Sequence, residues 1–197
     1  RVCPAGTGLS LYSRTLFDFT AGMNPYLTQG LELGRSFVQP GYWGKRSLDY
    51  LWRGIGAYLN QHPHYRYLFG PVSLSGAYPR DALELLVHFY ERHFPAWQQL
   101  AVPRNPFLIP AERRAELDAR YPGTSYREEF QRLKSELGER KLGIPTLYKQ
   151  YGELCDVGGV QFAAFNIDPN FGHCVDGLVV VDLARLKASR RERYLGQ

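Results

Sequence analysis

The chain has 197 residues, a formal net charge of +5 and a pI near 9.1. Its 44% apolar content suffices for one ordinary core, so one domain, with or without an insertion, is expected. Three widely spaced cysteines, Cys3, Cys155 and Cys174, form no C-x-x-C; this excludes a disulfide scaffold and fits reduced thiols in the cytoplasm, and no run of about 18 apolar residues is present to span a membrane.

Arg1-Val2 reads as the continuation of a longer chain. Residues 1–30 carry Pro, Gly and Ser breaks and are expected to be mostly irregular, with one short strand where Phe17 and Phe19 flank Asp18. Leu31 to Val38 reads as a strand, ended by Gln39-Pro40 because proline has no N–H for a ladder. A glycine-bearing basic loop, Gly41 to Arg46, follows. Ser47 is then placed to cap a helix whose apolar positions are Leu48, Leu51, Trp52, Ile55, Tyr58 and Leu59, the roughly 3.6-residue spacing of a one-sided helix. Strand, basic loop and helix start together make an anion site, with free N–H groups, the positive end of the helix dipole, Lys45 and Arg46. The loop is neither a Walker A nor a Rossmann fingerprint.

Tyr65 to Leu74 reads as a second, buried strand, with Gly70-Pro71 marking a bulge or a splayed end. Pro79 opens a helix to about His93, so two adjacent parallel strands are expected over 31–94. Residues 95–110 hold Pro95, Pro103, Pro106 and Pro110 and read as an irregular connection whose apolar residues lie over a groove. Helices are expected over 111–121 and 125–140, the second with a Ser125-x-x-Glu128 capping box. Together, 95–142 reads as an insertion or basic flap. A helix opened by Pro145 runs to Leu154. A hairpin of Val160–Ile167 and Gly177–Leu183 closes the pattern, turned by Asp168-Pro169-Asn170.

The chemistry-bearing residues are few. No H-E-x-x-H or Cys/His cluster suggests a metal, and no G-x-S-x-G suggests a serine hydrolase. Glu32 and Arg35 are charges in a strand that otherwise reads as buried, so each needs a partner or a ligand. Asp168 and Asp176 flank the last turn, where they serve as turn formers or as a site for a cationic amine. The aromatic residues fall at core positions, which argues against a nucleic-acid stacking surface.

The run ELGRSFVQPGYWGKRSLDYLWRGIGAYL, then YRYLFGPVSL, GIPTLYKQYGEL and IDPNFGHCVDGLVVVDL, resembles the acyl-carrier-protein-dependent N-acyltransferases of the GNAT superfamily. These include ornithine lipid synthases and relatives that carry a hemolysin label. The Glu-x-x-Arg strand is also similar to the synthases of acyl-homoserine lactones. The resemblance implies an α/β fold with a splayed mixed sheet flanked by helices, lacking its N-terminal elements. It also implies transfer of a long-chain (3-hydroxy)acyl group to an amine, with Glu32 as general base beside Arg35.

By the same resemblance, Gln39, Tyr42, Trp43, Gly44, Lys45 and Arg46 would hold the donor's phosphopantetheine, with no tightly bound cofactor. Phe69, Gly70, Asp168 and Asp176 would meet the substrates, and Tyr148 or Tyr151 would protonate the leaving thiolate. The loop Gln39-x-Gly41-x-x-Gly44 departs from the usual Q/R-x-x-G-x-G/A, which points to acyl carrier protein rather than coenzyme A as donor. The basic charge suits that acidic partner, and a peripheral contact with anionic membrane is the other expectation. A non-catalytic binding module of the same fold is the alternative.

Overall fold

The computed structural model describes residues 11–34, 39–42 and 46–196. The far half of the expected 31–38 strand, Arg35 included, and Trp43, Gly44 and Lys45 lie outside the described residues.

The first segment is more regular than its breaks suggest. It forms α1 (Ser13–Leu16), β1 (Phe17–Phe19), a 3₁₀ turn (Ala21–Met23) and α2 (Asn24–Thr28). The Thr20 hydroxyl accepts the Gly22 N–H, and Pro25 sits in the first turn of α2. β1 pairs antiparallel with β4 (Ala101–Pro103). The proline-rich connection therefore contains a strand, with its proline at the terminal position that a ladder tolerates.

The main sheet has the order β2 (Gly30–Glu32), β3 (Tyr67–Leu74), β6 (Cys174–Asp182), β5 (Val160–Asp168). β2 and β3 are parallel, as expected, and β3–β6 and β6–β5 are antiparallel. On one face, Leu68, Val72, Val179 and Val181 pack under three helices: α3 (Ser47–Gln61), α4 (Arg80–His93) and α7 (Thr146–Leu154). On the other, Phe69, Leu178 and Val180 pack under the N-terminal segment and Leu100-Ala101. This is the mixed, helix-flanked α/β sheet that the sequence led us to expect.

Three details differ. Ser47 is the first residue of α3 rather than its cap, and its hydroxyl donates to the Tyr42 carbonyl. The register of β3 on β6 runs unbroken through Gly70 and Pro71, so of the bulge or splayed end expected there no bulge forms; a bulge lies instead in β5, between Phe162 and Phe165. A last helix, α8 (Ala188–Leu195), packs on α3. It has no fully buried residue, so no apolar stripe announced it.

α5 (Ala111–Arg120), Tyr121 just after it and α6 (Tyr126–Glu139) bury Leu117, the Tyr121 ring, Leu133 and Leu137 in the main core. Arg113, Arg114 and Arg120 pair with Glu116, Glu91 and Glu136 at 2.6–3.0 Å. This segment is part of the core rather than a flap, and these three cations are already paired. The N-cap hydroxyl of Ser125 accepts the Glu128 N–H, but the carboxylate that returns to the cap is Glu129, not Glu128.

Glu129 accepts N–H groups of Gly123 and Thr124, and His93 Nε2–H at 2.8 Å. Burial opposes its charge, yet the His93 and backbone bonds outweigh burial and hold its carboxyl below the usual range. Burial also lowers the pKa of His93, so near neutral pH the ring is uncharged and donates. Both shifts are depressions. Their stability is intact above the unfolded values, and is lost as acid charges first His93 and then neutralises Glu129. Glu129→Ala is expected to cost about 2–3 kcal/mol, from a lost cap and orphaned buried donors, and to shrink the fall in stability between about pH 7 and 4. Urea unfolding at several pH values measures both.

Candidate active site

β2 and β3 part after a short contact. Pairing ends at Glu32 opposite Phe69, and the Leu33 N–H donates to the Phe69 carbonyl at 2.7 Å. Gly70 permits this approach, because a Cβ there would lie 2.0 Å from the Leu33 carbonyl oxygen. Pro71 then has no N–H to offer the departing strand. Beyond this point, Leu33 and Gly34 stand across a cleft of about 660 Å³ from Pro71, Val72 and Ser73.

The cleft runs through the sheet and has two unlike walls. On the helical side it is apolar: Leu51, Trp52 and Ile55 of α3 with Leu147 and Tyr151 of α7. Trp52 Nε1–H donates to Gln150 at 2.7 Å, and its ring packs edge-on against Tyr151. On the other side the wall is polar, formed by Tyr12, Ser73, Asp168 and Asn170, with Phe171 at the rim.

Two buried aspartates belong to this side, Asp168 in the polar wall and Asp176 behind it. Asp168 accepts the Tyr12 hydroxyl at 3.0 Å and the Asn170 N–H at 2.8 Å. Asp176 accepts the Ser73 hydroxyl at 2.5 Å and the Cys174 thiol at 3.6 Å. Among the described residues, neither carboxylate has a cationic partner within 4.0 Å. Burial pushes the Asp176 carboxyl above its ordinary range, opposed by the Ser73 and Cys174 bonds and reinforced by Asp168. Burial and Asp168 push the Tyr12 hydroxyl up to about 12. Burial, with Asp176, pushes the Cys174 thiol up to about 12, so it stays protonated at neutral pH and is a poor nucleophile.

The other residues singled out from the sequence are dispersed. Glu32 is buried, and its carboxylate accepts the N–H groups of Tyr12 and Ser13 at 3.1 and 2.7 Å and the Ser13 hydroxyl at 2.5 Å. It ties the start of α1 to β2 and does not line the cleft. Phe69 is a core residue packed against Phe19, and Gly70 is a point of close backbone approach; neither is among the residues that line the cleft. Gln39 and Tyr42 are exposed, and Arg46 sits 4.0 Å from Asp49 in the first turn of α3. Tyr148 is fully buried and its hydroxyl donates to the Val72 carbonyl, so Tyr151 alone of that pair reaches the cleft. None of residues 97–109 lines it.

Tyr12 and Ser73 were missed as site residues. Nothing in their local sequence marks them; only pairing with Asp168 and Asp176 across the fold gives them a role.

Residues 3–53 match the family model described as an acetyltransferase (GNAT) domain. The chain is 29% identical over 190 residues to a glycine N(alpha)-acyltransferase of Bacteroides thetaiotaomicron, covering 91% of this chain and 55% of that protein. It is 28% identical over 190 residues to a protein of the same name from Phocaeicola vulgatus, covering 91% and 57%. Over 77 residues it is 41% identical to an L-ornithine N(alpha)-acyltransferase of Brucella abortus, 38% of this chain and 27% of that protein. The chain thus spans little more than half the length of the relatives it matches most extensively. No solved structure gives a significant match. The resemblance read from the sequence holds: the chain is related to the GNAT-superfamily N-acyltransferases.

Proposed function

We propose that this chain carries the acyl-transfer site of an N-acyltransferase that moves a long-chain (3-hydroxy)acyl group from acyl carrier protein to the amine of an amino acid, giving an aminolipid. The observation that carries this reading is the two-walled cleft through the split sheet. Its apolar wall on α3 and α7 suits a pantetheine arm and acyl chain, and its acidic wall suits an ammonium group. The names of the relatives favour glycine or ornithine as acceptor.

The donor's phosphate would meet the start of α3, with Gln39, Tyr42, Trp43, Gly44, Lys45 and Arg46 around it. Asp49 already draws Arg46, Arg53 and Arg193 to this point, leaving cationic charge in excess. The net charge of +5 would speed encounter with an acidic carrier protein. Exposed Phe171 and half-exposed Leu51, both lining the cleft, suit a shallow contact with membrane lipid, where the product must go. Among the described residues no helix is long and apolar enough to cross a membrane.

The test is a mass-spectrometric assay of the full-length protein, and of this chain beside it. Donors are 3-hydroxyacyl carrier protein and 3-hydroxyacyl coenzyme A, with glycine, ornithine, lysine and glutamine as acceptors. N-acyl product from the carrier-protein donor is the expected result. Product only from coenzyme A would overturn the donor assignment. Absence of product from every pair would overturn the activity.

A further inference from the structure

We propose that Ser73 and Asp176 form the proton relay of the acceptor site, with Ser73 Oγ receiving a proton from the incoming ammonium as its own hydroxyl proton passes to Asp176. The inference rests on the acyl-transfer reading and assigns the base that this reaction needs.

The argument is one of access and occupancy. An amino acid arrives as an ammonium and must lose a proton before its nitrogen can attack a thioester. Of the three buried carboxylates near the split, Glu32 already accepts three hydrogen bonds from Tyr12 and Ser13 and has no face on the cleft. Asp168 does face it, but accepts the Tyr12 hydroxyl and the Asn170 N–H, which fixes it as the counter-charge for the ammonium. Asp176 is sealed from solvent and touches the cleft through one group, the Ser73 hydroxyl. Ser73 and Asp176 are directly opposed on β3 and β6, so their side chains share a face and the 2.5 Å bond is fixed by backbone register. Ser73 itself is exposed and lines the cleft between Pro71 and the acidic wall.

The step balances without redox chemistry. One ammonium proton moves to Ser73 as the Ser73 proton moves to Asp176, which becomes neutral and later returns its proton to solvent back through the Ser73 hydroxyl. The freed nitrogen bonds to the thioester carbonyl carbon. The second N–H proton and the electrons of the C–S bond leave with sulfur as a thiol. Ser73 is the catalytic residue of the pair, and Asp176 is a positioning residue that acts through it.

Groups facing Asp176 come from every neighbouring element: Tyr12 before α1, Ser73 on β3, Asp168 on β5, Cys174 on β6 and Tyr148 on α7. The tyrosines and the thiol stay protonated near neutral pH, with Tyr12 and Cys174 pushed up to about 12 and Tyr148 pushed far up by burial. Asp176, raised by burial, is therefore the group whose titration the acidic limb of a rate profile would report. A base must be deprotonated, so activity is lost as pH falls through this raised value.

The experiment compares pH–rate profiles of the full-length protein with Ser73→Ala, Ser73→Thr and Asp176→Asn, checking each fold by circular dichroism. Expected are a fall in kcat of about 100-fold for Ser73→Ala with acceptor KM within about threefold, near-wild-type kcat for Ser73→Thr, and a flattened acidic limb for Asp176→Asn. Ser73→Ala within threefold of wild type would overturn the relay, as would a wild-type acidic limb in Asp176→Asn. If Asp176→Asn does not fold, the Ser73 pair decides alone, because that side chain sits at the cleft surface. Wild-type turnover reads the acyl-transfer assignment and variant-to-wild-type ratios read the relay. An inactive wild type removes both, and active wild type with active Ser73→Ala removes only the relay.

Discussion

Asp168→Asn is expected to raise the acceptor KM by about 30- to 100-fold while leaving donor binding within about twofold. The size follows from a charge-assisted hydrogen bond in a dry site, worth about 2–3 kcal/mol. The substituted amide would keep one carbonyl oxygen for the Tyr12 hydroxyl but set its NH2 against the Asn170 N–H, so the wall loses its charge and one local turn hydrogen bond. Initial-rate kinetics with each substrate varied separately make the measurement. Equal losses for donor and acceptor would mean that the substitution deforms the cleft, and an unchanged acceptor KM would place the ammonium elsewhere.

Trp52→Ala is expected to be the most damaging single change to stability. Trp52 is almost fully buried, packs against Tyr151 and Tyr194, and donates to Gln150. Truncating a buried tryptophan costs about 3–5 kcal/mol, and here it also leaves the Gln150 oxygen without its donor. For a chain of this length that is roughly a 10 °C fall in Tm or more. The same residue forms the floor of the apolar wall, so the donor KM should rise as well. Trp52→Phe retains most of the packing and should lose only about 1–2 kcal/mol. Thermal and urea unfolding separate the two variants. A Trp52→Ala protein as stable as wild type would mean that α3 and α7 are not held together by this ring.

Much of the fold was legible because periodicity reports packing. The stripe from Leu48 to Leu59 marked α3, Ala82 to Tyr90 marked α4, and the apolar runs 65–74 and 177–183 marked the two central strands. Proline punctuated correctly at Pro79, Pro110 and Pro145, each of which immediately precedes a helix. In the first 30 residues only the strand at Phe17–Phe19 was legible, and α8 was not, since short capped turns and a helix lying on the surface carry no stripe.

The site divides in the same way. By itself the sequence determined that a strand, a basic glycine loop and an amphipathic helix follow one another, and that Asp168 and Asp176 flank one hairpin. Which face each aspartate takes was decided only by the tertiary structure. Val160 and Phe162 face the helices, and strict alternation would send Asp168 after them. The extra residue between Phe162, opposite Val179, and Phe165, opposite Gly177, reverses that parity. Phe165 then stacks on Phe162 at 5.8 Å, and Asn166 and Asp168 fall opposite Asp176 and Cys174 on the acidic side. The fate of Glu32 was decided the same way. Its place in a buried strand showed that it needed partners, but only the packing of α1 against β2 supplied backbone donors rather than a substrate. A sequence pattern fixes the spacing of side chains along one element; the register between elements fixes which of them meet.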